Sequence, residues 1–392
     1  MQLDFHYYAT YCAAVLAGYS HEESLAIGYS SQFVDMCSKT FLMKVQGPVA
    51  AATTQLTMEM ADVKKGVVGR QDITRIWASF HFLPYDLYAQ KKRCTKAYLN
   101  KYRLICNPNG SLVADTVRLA KATSLQAAGI AMHVLADTWA HRYHAGTPSL
   151  VINNSTNFYE YIDTNDTTVT KAGEWRKIVF VHKLGGTDDV FDGKYIASVY
   201  QPDENSVMNL GHGRDGHLPD YSFAKYRFIP AWKDYEEILK DNPSDYYSAF
   251  GQMVYALKYL KTKNAEFELD TYDETIEKYR DEIMAIIKER RPDASAGWKN
   301  FGEKLSGRTI EDFDVKKYID EYVQAQADSK SDTFLGRFFV AALNQKSMIS
   351  AKIFKSGNIL AGFSVDFGKK GFKGIKDYKI IVESIGKDKN EC

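Results

Sequence analysis

Apolar and aromatic residues crowd Phe5–Ala17 until Gly18 ends the run. Ser20-His21-Glu22-Glu23 has capping-box form, with Ser20 as N-cap, and predicts a helix from His21 to about Lys39. Between Gly47 and Phe82 the pattern is mixed, and the β-branched residues from Val67 to Ile76 predict short strands or a long loop. Asn107-Pro108-Asn109-Gly110-Ser111 is a turn signal. The clearest helix follows, from about Leu112 to Tyr143, with dense apolar positions at Val117, Leu119, Leu125, Ala128 and Met132 and a stop at Gly146-Thr147-Pro148.

Residues 149–211 are rich in Asn, Thr, Asp and Gly, with short β-like pieces at Lys177–Val181 and Tyr195–Tyr200, and predict an irregular insertion. Helical spacing returns over Tyr246–Leu260, Tyr272–Glu289 and Ile310–Gln326. Pro292–Gly307 is the best candidate linker. From about Gly357 the tail is rich in Gly and Lys. The pattern predicts a mainly α protein with a partly β insertion and a C-terminal helical extension.

Composition narrows the class. With 45% hydrophobic and 25% charged residues, the 392-residue chain can bury a core of one or two domains, and disorder throughout is excluded. The 50 Lys and Arg against 49 Asp and Glu argue against a dedicated duplex-DNA binder. No apolar run approaches the ~18–20 residues that span a bilayer. The N-terminus has no basic n-region or apolar h-region, so the expectation is a cytoplasmic chain without a signal peptide. Five scattered Cys without a Cys-x-x-Cys pair suit reduced thiols.

Among nine His, position matters more than number. In the segment from His133 to His144, the ligand-type residues His133, Asp137, His141 and His144 fall at roughly 0°, 40°, 80° and 20° around a helix. Three imidazoles and a carboxylate on one stripe of an apolar helix need partners. A metal ion supplies one: these ligands suit Zn²⁺, and a stripe of about 16 Å could serve more than one ion. Hydrogen-bonded polar core residues are the alternative. Gly211-His212-Gly213-Arg214-Asp215-Gly216-His217-Leu218-Pro219-Asp220 is a tight loop able to point His212, His217, Asp215 and Asp220 at one place, or a plain glycine turn. Asp4 is either a helix cap or a ligand, and His6 and His81 either packed aromatics or ligands. Asp35 sits on a mostly apolar helix. His21 reads as exposed beside the acidic residues of its capping box and His182 has no evident partner, so neither is assigned a function.

In order, Asp4-Phe5-His6-Tyr7-Tyr8, Ser31-Gln32-Phe33-Val34-Asp35, Phe80-His81-Phe82-Leu83-Pro84, the His133–His141 segment and the Gly211–Asp220 loop resemble the zinc-dependent phospholipase C and single-strand nuclease superfamily, most closely its uncharacterised bacterial branch. The resemblance covers about residues 1–240, leaving 241–392 as extension. It implies a mostly helical domain holding two or three zinc ions. Asp35, His81, His133 and Asp137 match one zinc site, and Asp137 would bridge to a second that His6 binds. His141 or His144, with His212 or His217, match the third. The family's second ion also uses the amino group and carbonyl of an N-terminal Trp; here Asp4 is the candidate substitute. The family's closing His-x-x-x-Glu is replaced by His217-x-x-Asp220.

The expected function is a metal-dependent phosphoesterase acting on a phospholipid head group, a nucleotide or a nucleic acid. Asp35 would orient or deprotonate the attacking water, and Arg142 and Arg214 would bind phosphate. A different class remains open: a non-catalytic, metal-stabilised binding or assembly protein using the insertion and C-terminal helices as surfaces. Lys369, Lys370, Lys373, Lys376 and Lys379, with Phe372 and Tyr378 between them, are candidates for contact with anionic lipid or single-stranded nucleic acid.

Overall fold

A computed structural model of the chain describes residues 1–61, 67–164, 166–169 and 173–362. The lysine-rich tail lies outside the described residues. The rest is mainly helical, with two small sheets. No helix among the described residues is long and apolar enough to cross a membrane.

A π-helix over Asp4–Ala9 continues as α1 (Thr10–Leu16). The reciprocal capping bonds of Ser20 and Glu23 start α2 (His21–Phe33). It ends before Lys39 because Val34, Asp35 and Met36 tighten into three-residue bonds to Ser31, Gln32 and Phe33, which carry Asp35 out of the helix. Short helices α3 (Lys39–Lys44) and α4 (Thr57–Ala61) follow. Where strands or a loop were expected, the chain forms α5 (Val67–Phe80). Ile73, Ile76 and Phe80 recur at helical spacing and are all buried, which outweighs a weak strand propensity.

After α6 (Lys96–Tyr102), the expected long helix is two: α7 (Ser111–Ala120) and α8 (Leu125–Ala140). Ala122 adopts a φ of 57°, and Ser124 restarts the chain by accepting a hydrogen bond from the Ala127 N–H. Helix α8 is buried from Ala128 to Ala140 and is flanked by α2, α7 and two helices from the C-terminal part. Gly129 sets the crossing with α2: a Cβ there would lie 2.5 Å from the Ile27 carbonyl oxygen.

Beyond α9 (Leu150–Asn153) the β-containing part runs past the expected limit of residue 211. Strands β1 (Ser155–Tyr161), β2 (Trp175–Lys177), β3 (Val179–His182), β4 (Lys194–Ala197), β5 (Lys225–Pro230) and β6 (Ile238–Asp241) form an antiparallel sheet in the order β2-β1-β5-β6 and a parallel β3–β4 pair. Tyr226 and Phe228 alternate inward from β5 to a small core with Phe158 and Tyr195. The ligand-type loop 211–220 is thus enclosed between β4 and β5. Glu160 of β1 is wholly buried, held by Arg176 at 2.7 Å, Arg290 at 3.0 Å and the Tyr195 hydroxyl at 3.1 Å.

The C-terminal helices are α10 (Asn242–Lys261), α11 (Arg280–Lys288), α12 (Ser295–Ser306), α13 (Ile319–Gln324) and α14 (Phe334–Lys355). The expected linker at Pro292–Gly307 is instead mostly α12, pinned by Trp298, which is fully buried against Phe5 and Phe250. The expected helix from Ile310 forms only over Ile319–Gln324. The Tyr7 and Tyr29 hydroxyls donate to the carbonyls of Glu311 and Val315, so tertiary bonds replace helical ones at these two carbonyls. Helices after residue 241 share one core with the N-terminal ones; Phe33, for example, meets Phe338 edge-on at 4.9 Å.

Candidate metal centre

Helix packing brings together side chains from distant stretches of chain. His6 comes from the π-helix, Asp35 from the turn after α2, and His81 from the residue following α5. His133 and Asp137 lie one turn apart on α8, and His141 is its C-terminal cap. His212 and Asp220 come from the enclosed loop. They form three groups: His6, His133 and Asp137; Asp35, His81 and His133; His141, His212 and Asp220. Within each group one ligand atom per residue lies within 4.8 Å of the others. The Asp137 carboxylate stands between the first two, Oδ1 3.1 Å from His6 Nε2 and Oδ2 3.1 and 3.2 Å from His133 Nε2 and His81 Nδ1. In the third, Asp220 Oδ1 is 3.0 Å from His141 Nε2.

Backbone carbonyls orient four of the rings. His81 Nε2 is 3.0 Å from the Thr53 oxygen, His133 Nδ1 2.9 Å from that of Ser31, His141 Nδ1 2.8 Å from that of His81, and His212 Nδ1 2.7 Å from that of Gly216. A carbonyl only accepts, so each of these nitrogens carries a proton. In the neutral ring the other nitrogen therefore presents a lone pair, and in all four that nitrogen faces the centre. His6 is stacked on His133 at 3.8 Å, with Nε2 3.1 Å from Asp137 Oδ1 and no other partner for its ring nitrogens among the described residues. Converging bare lone pairs and buried carboxylates is a donor set for a cation, and imidazole with carboxylate fits a divalent transition metal such as zinc.

The electrostatics agree. Burial opposes charge on Asp137, yet His141, the Met1 amino group, His133 and His6 hold its carboxyl well below the usual range. Asp220, also buried, is held low by the Met1 amino group, His212, His141 and His217. Burial pushes His6 down to about 4 and His212 to about 3, so both rings are neutral at pH 7. The Met1 amino group itself lies 3.0 Å from Asp137 Oδ1, 3.1 Å from Asp220 Oδ1 and 3.2 Å from His141 Nε2, a positive charge lodged among the ligands.

Several expected roles change. Asp4 turns away from the centre: its oxygens accept from the N–H groups of Phe5 and Ala294, tying the first helix to the start of α12. The group of His6, His133 and Asp137 therefore gains no ligand from Asp4, and the Met1 amino group lies beside Asp137 instead. His144 leaves the stripe because α8 ends at Ala140 and Tyr143 adopts a φ of 81°. Its Nε2 pairs with buried Asp215 at 2.7 Å, behind His212. Asp215, one of the two loop carboxylates that could serve as ligands, is thus spent on His144. His217 is half-exposed, in contact with Asp220 but outside the three groups. Arg142 pairs with Asp245 at 2.9 Å, and Arg214 is buried, bonded to Asn209 and to the carbonyls of Ser198 and Gln201. Both guanidinium groups are thus engaged by neighbouring groups, Arg214 on Nε, Nη1 and Nη2 and Arg142 on Nη1. The orienting carbonyls of Ser31, Thr53, His81 and Gly216 have no sequence signal, since every residue has one.

A cavity of about 600 Å³ opens beside the third group, with His212, His217 and Gln2 in its lining and Trp77, Phe82 and Tyr221 among its walls. Asp35, on the second group, is also partly open to solvent.

Residues 1–353 match a family of unknown function, DUF6765. The chain belongs to this family. The match to the DUF6765 family spans all three ligand groups and the C-terminal helices that close the core. No curated protein and no solved structure matches the chain.

Proposed function

We propose that this protein is a metal-dependent phosphoesterase, hydrolysing a phosphodiester or phosphomonoester at a centre of two or three divalent ions, zinc being the best fit. The observation that carries this reading is the set of carbonyl-locked imidazoles whose bare nitrogens converge on Asp137 and Asp220. The ligands would be His6, His133 and Asp137; Asp35 and His81 with His133; and His141, His212 and Asp220. Bound there, the ions supply Lewis acidity, drawing charge from a phosphoryl oxygen and acidifying water. A distant relationship to the zinc-dependent phospholipase C and nuclease superfamily, drawn from the five motifs, is part of the same proposal.

The chain's own residues divide the work. Asp35 is more exposed than Asp137 or Asp220. Its Oδ2 accepts from Gln32 at 3.3 Å, while Oδ1 faces His81 and His133 at 3.8 and 3.9 Å. It takes the proton from the attacking water. Asp137 and the buried rings hold the charges in place, and the cavity beside His212 admits the ester. His133→Ala tests the reading: turnover of model phosphodiesters and phosphomonoesters is lost while circular dichroism is retained, and unchanged turnover refutes it.

One observation favours a structural role for part of the centre. His6 and His133 are fully buried, so an ion in the first group is sealed from substrate. Metal-loaded protein inert toward every phosphoester, yet unfolding on chelation, would mark the whole centre as structural and the protein as a binding or assembly module.

A further inference from the structure

We infer that Lys183 is the anion-binding residue of the site, and that the cavity it borders takes a small phosphoester whose non-phosphate part is apolar or aromatic. This rests on the phosphoesterase reading above.

A phosphoester site needs a positive charge besides its ions to neutralise the remaining phosphate oxygens. Arg142 and Arg214 are both engaged elsewhere. The cavity of about 600 Å³ that has His212 and His217 in its lining has, among the described residues, no Arg and a single Lys there, Lys183. Among the described residues no carboxylate pairs with the Lys183 ammonium and no acceptor bonds it. The acidic side chain sharing the lining, Asp188, accepts from the Ile196 N–H at 2.6 Å and the Tyr221 hydroxyl at 2.7 Å and forms no ion pair with Lys183. Lys183 is therefore an exposed cation without an ion-pair partner among the described residues, at the border of a concave site next to candidate metal ligands.

The loop is shaped around this side chain. Lys183 follows β3 and precedes Gly185 and Gly186, whose φ angles are 71° and 124°. The second value lies where side-chain-bearing residues are strained. A Cβ at Gly186 would lie 2.6 Å from Lys183 Cε and 2.9 Å from Nζ, so the bare glycine gives the lysine room to fold back over the loop. The walls describe the rest of the ligand. Trp77, Phe82, Met60, Met208 and Tyr221 offer apolar and aromatic surface. The volume is that of a small-molecule pocket, suited to one compact ester.

The test uses the full chain and phenylphosphonate, which joins phosphate-like oxygens to an aromatic ring and has no ester bond to cleave. Metal content is measured by inductively coupled plasma mass spectrometry and affinity by titration calorimetry, for wild type, Lys183→Met and Lys183→Arg. The expected result is unchanged metal content in all three, an affinity about tenfold weaker in Lys183→Met, and recovery in Lys183→Arg. Inorganic phosphate should lose about as much on Lys183→Met but bind wild type more weakly than phenylphosphonate, because it leaves the aromatic walls unused. Undiminished phenylphosphonate binding by metal-loaded Lys183→Met overturns the assignment of Lys183 and leaves the phosphoesterase reading standing. Equal binding of the two probes to wild type overturns the apolar part of the ligand. Wild-type protein that holds no metal fails the underlying reading, and this inference with it.

Discussion

His133 Nε2 and His81 Nδ1 lie 3.3 Å apart, and each ring donates its other N–H to a carbonyl. In their neutral forms two lone pairs face each other in a buried site. A cation shared with Asp137 and Asp35 removes that repulsion. Protein purified without chelator or added metal should therefore carry two or three divalent ions per chain, measured by mass spectrometry. Stripping them should lower the melting temperature. Returning zinc to about a thousandfold above its dissociation constant should restore about 4 kcal/mol. A metal-free chain whose melting ignores chelator contradicts this.

Asp35→Asn keeps the shape of the side chain and removes its charge. With Asp35 as proton acceptor, kcat should fall by about 10²–10⁴ while the other groups keep their metal. Steady-state kinetics with metal analysis on the same sample decides it; an unchanged kcat would sink the assigned role.

Gly129→Ala tests how the fold serves the site. The new Cβ would meet the Ile27 carbonyl and Ser30 Cβ, both at 2.5 Å, and drive α2 from α8. The Ser31 carbonyl that orients His133 would move with α2. The expected outcome is a stability loss of about 1–3 kcal/mol in urea melts and a metal affinity lower by about 10–100-fold. Loss of stability with intact affinity would show that the crossing serves packing alone.

Lys346 is buried on α14, its ammonium donating to the Ala52 carbonyl at 2.7 Å. Burial lowers its pKa from 10.5 to about 8. Between those values the unfolded chain binds a proton that the folded chain does not. Stability contributed by this residue should therefore rise as pH increases from about 8 towards 10, by up to about 3 kcal/mol. Below pH 8 the folded state carries the full penalty of a buried charge. Urea melts at pH 8, 9 and 10 should show the rise in wild type and not in Lys346→Met. Parallel curves for the two would refute it.

How much of this was legible depended on what each residue does locally. The capping box at Ser20 and the period of Tyr246–Leu260 were readable because their causes lie within a few residues. Helix α5 was hidden because burial of Ile73, Ile76 and Phe80 overrides β-branched preference. Trp298 made a linker-like stretch into core, a tertiary effect with no local sign. At the centre, the residue types and their order suggested which side chains would meet. Which of His141 and His144 would face His212 depended on where α8 stops, and Asp4 was a cap to two N–H groups rather than a ligand. The arginines looked like phosphate binders because their partners Asp245 and Asn209 come together with them only in space or around a loop.

Glu160 gives the β-containing segment a different standing from a surface ornament. Its carboxylate, wholly buried, joins Arg176 of the same segment to Arg290 just after α11, and Arg290 also binds Asp166. Replacing Glu160 alone, with the surrounding segment kept, would leave the Arg290 guanidinium, now 7% exposed, buried with less counter-charge, a defect of about 3–5 kcal/mol. In evolutionary terms the segment is tied to the helical part through this buried ion pair. Glu160 and Arg290 depend on each other wherever the segment is kept, so these two residues should be inherited as a pair.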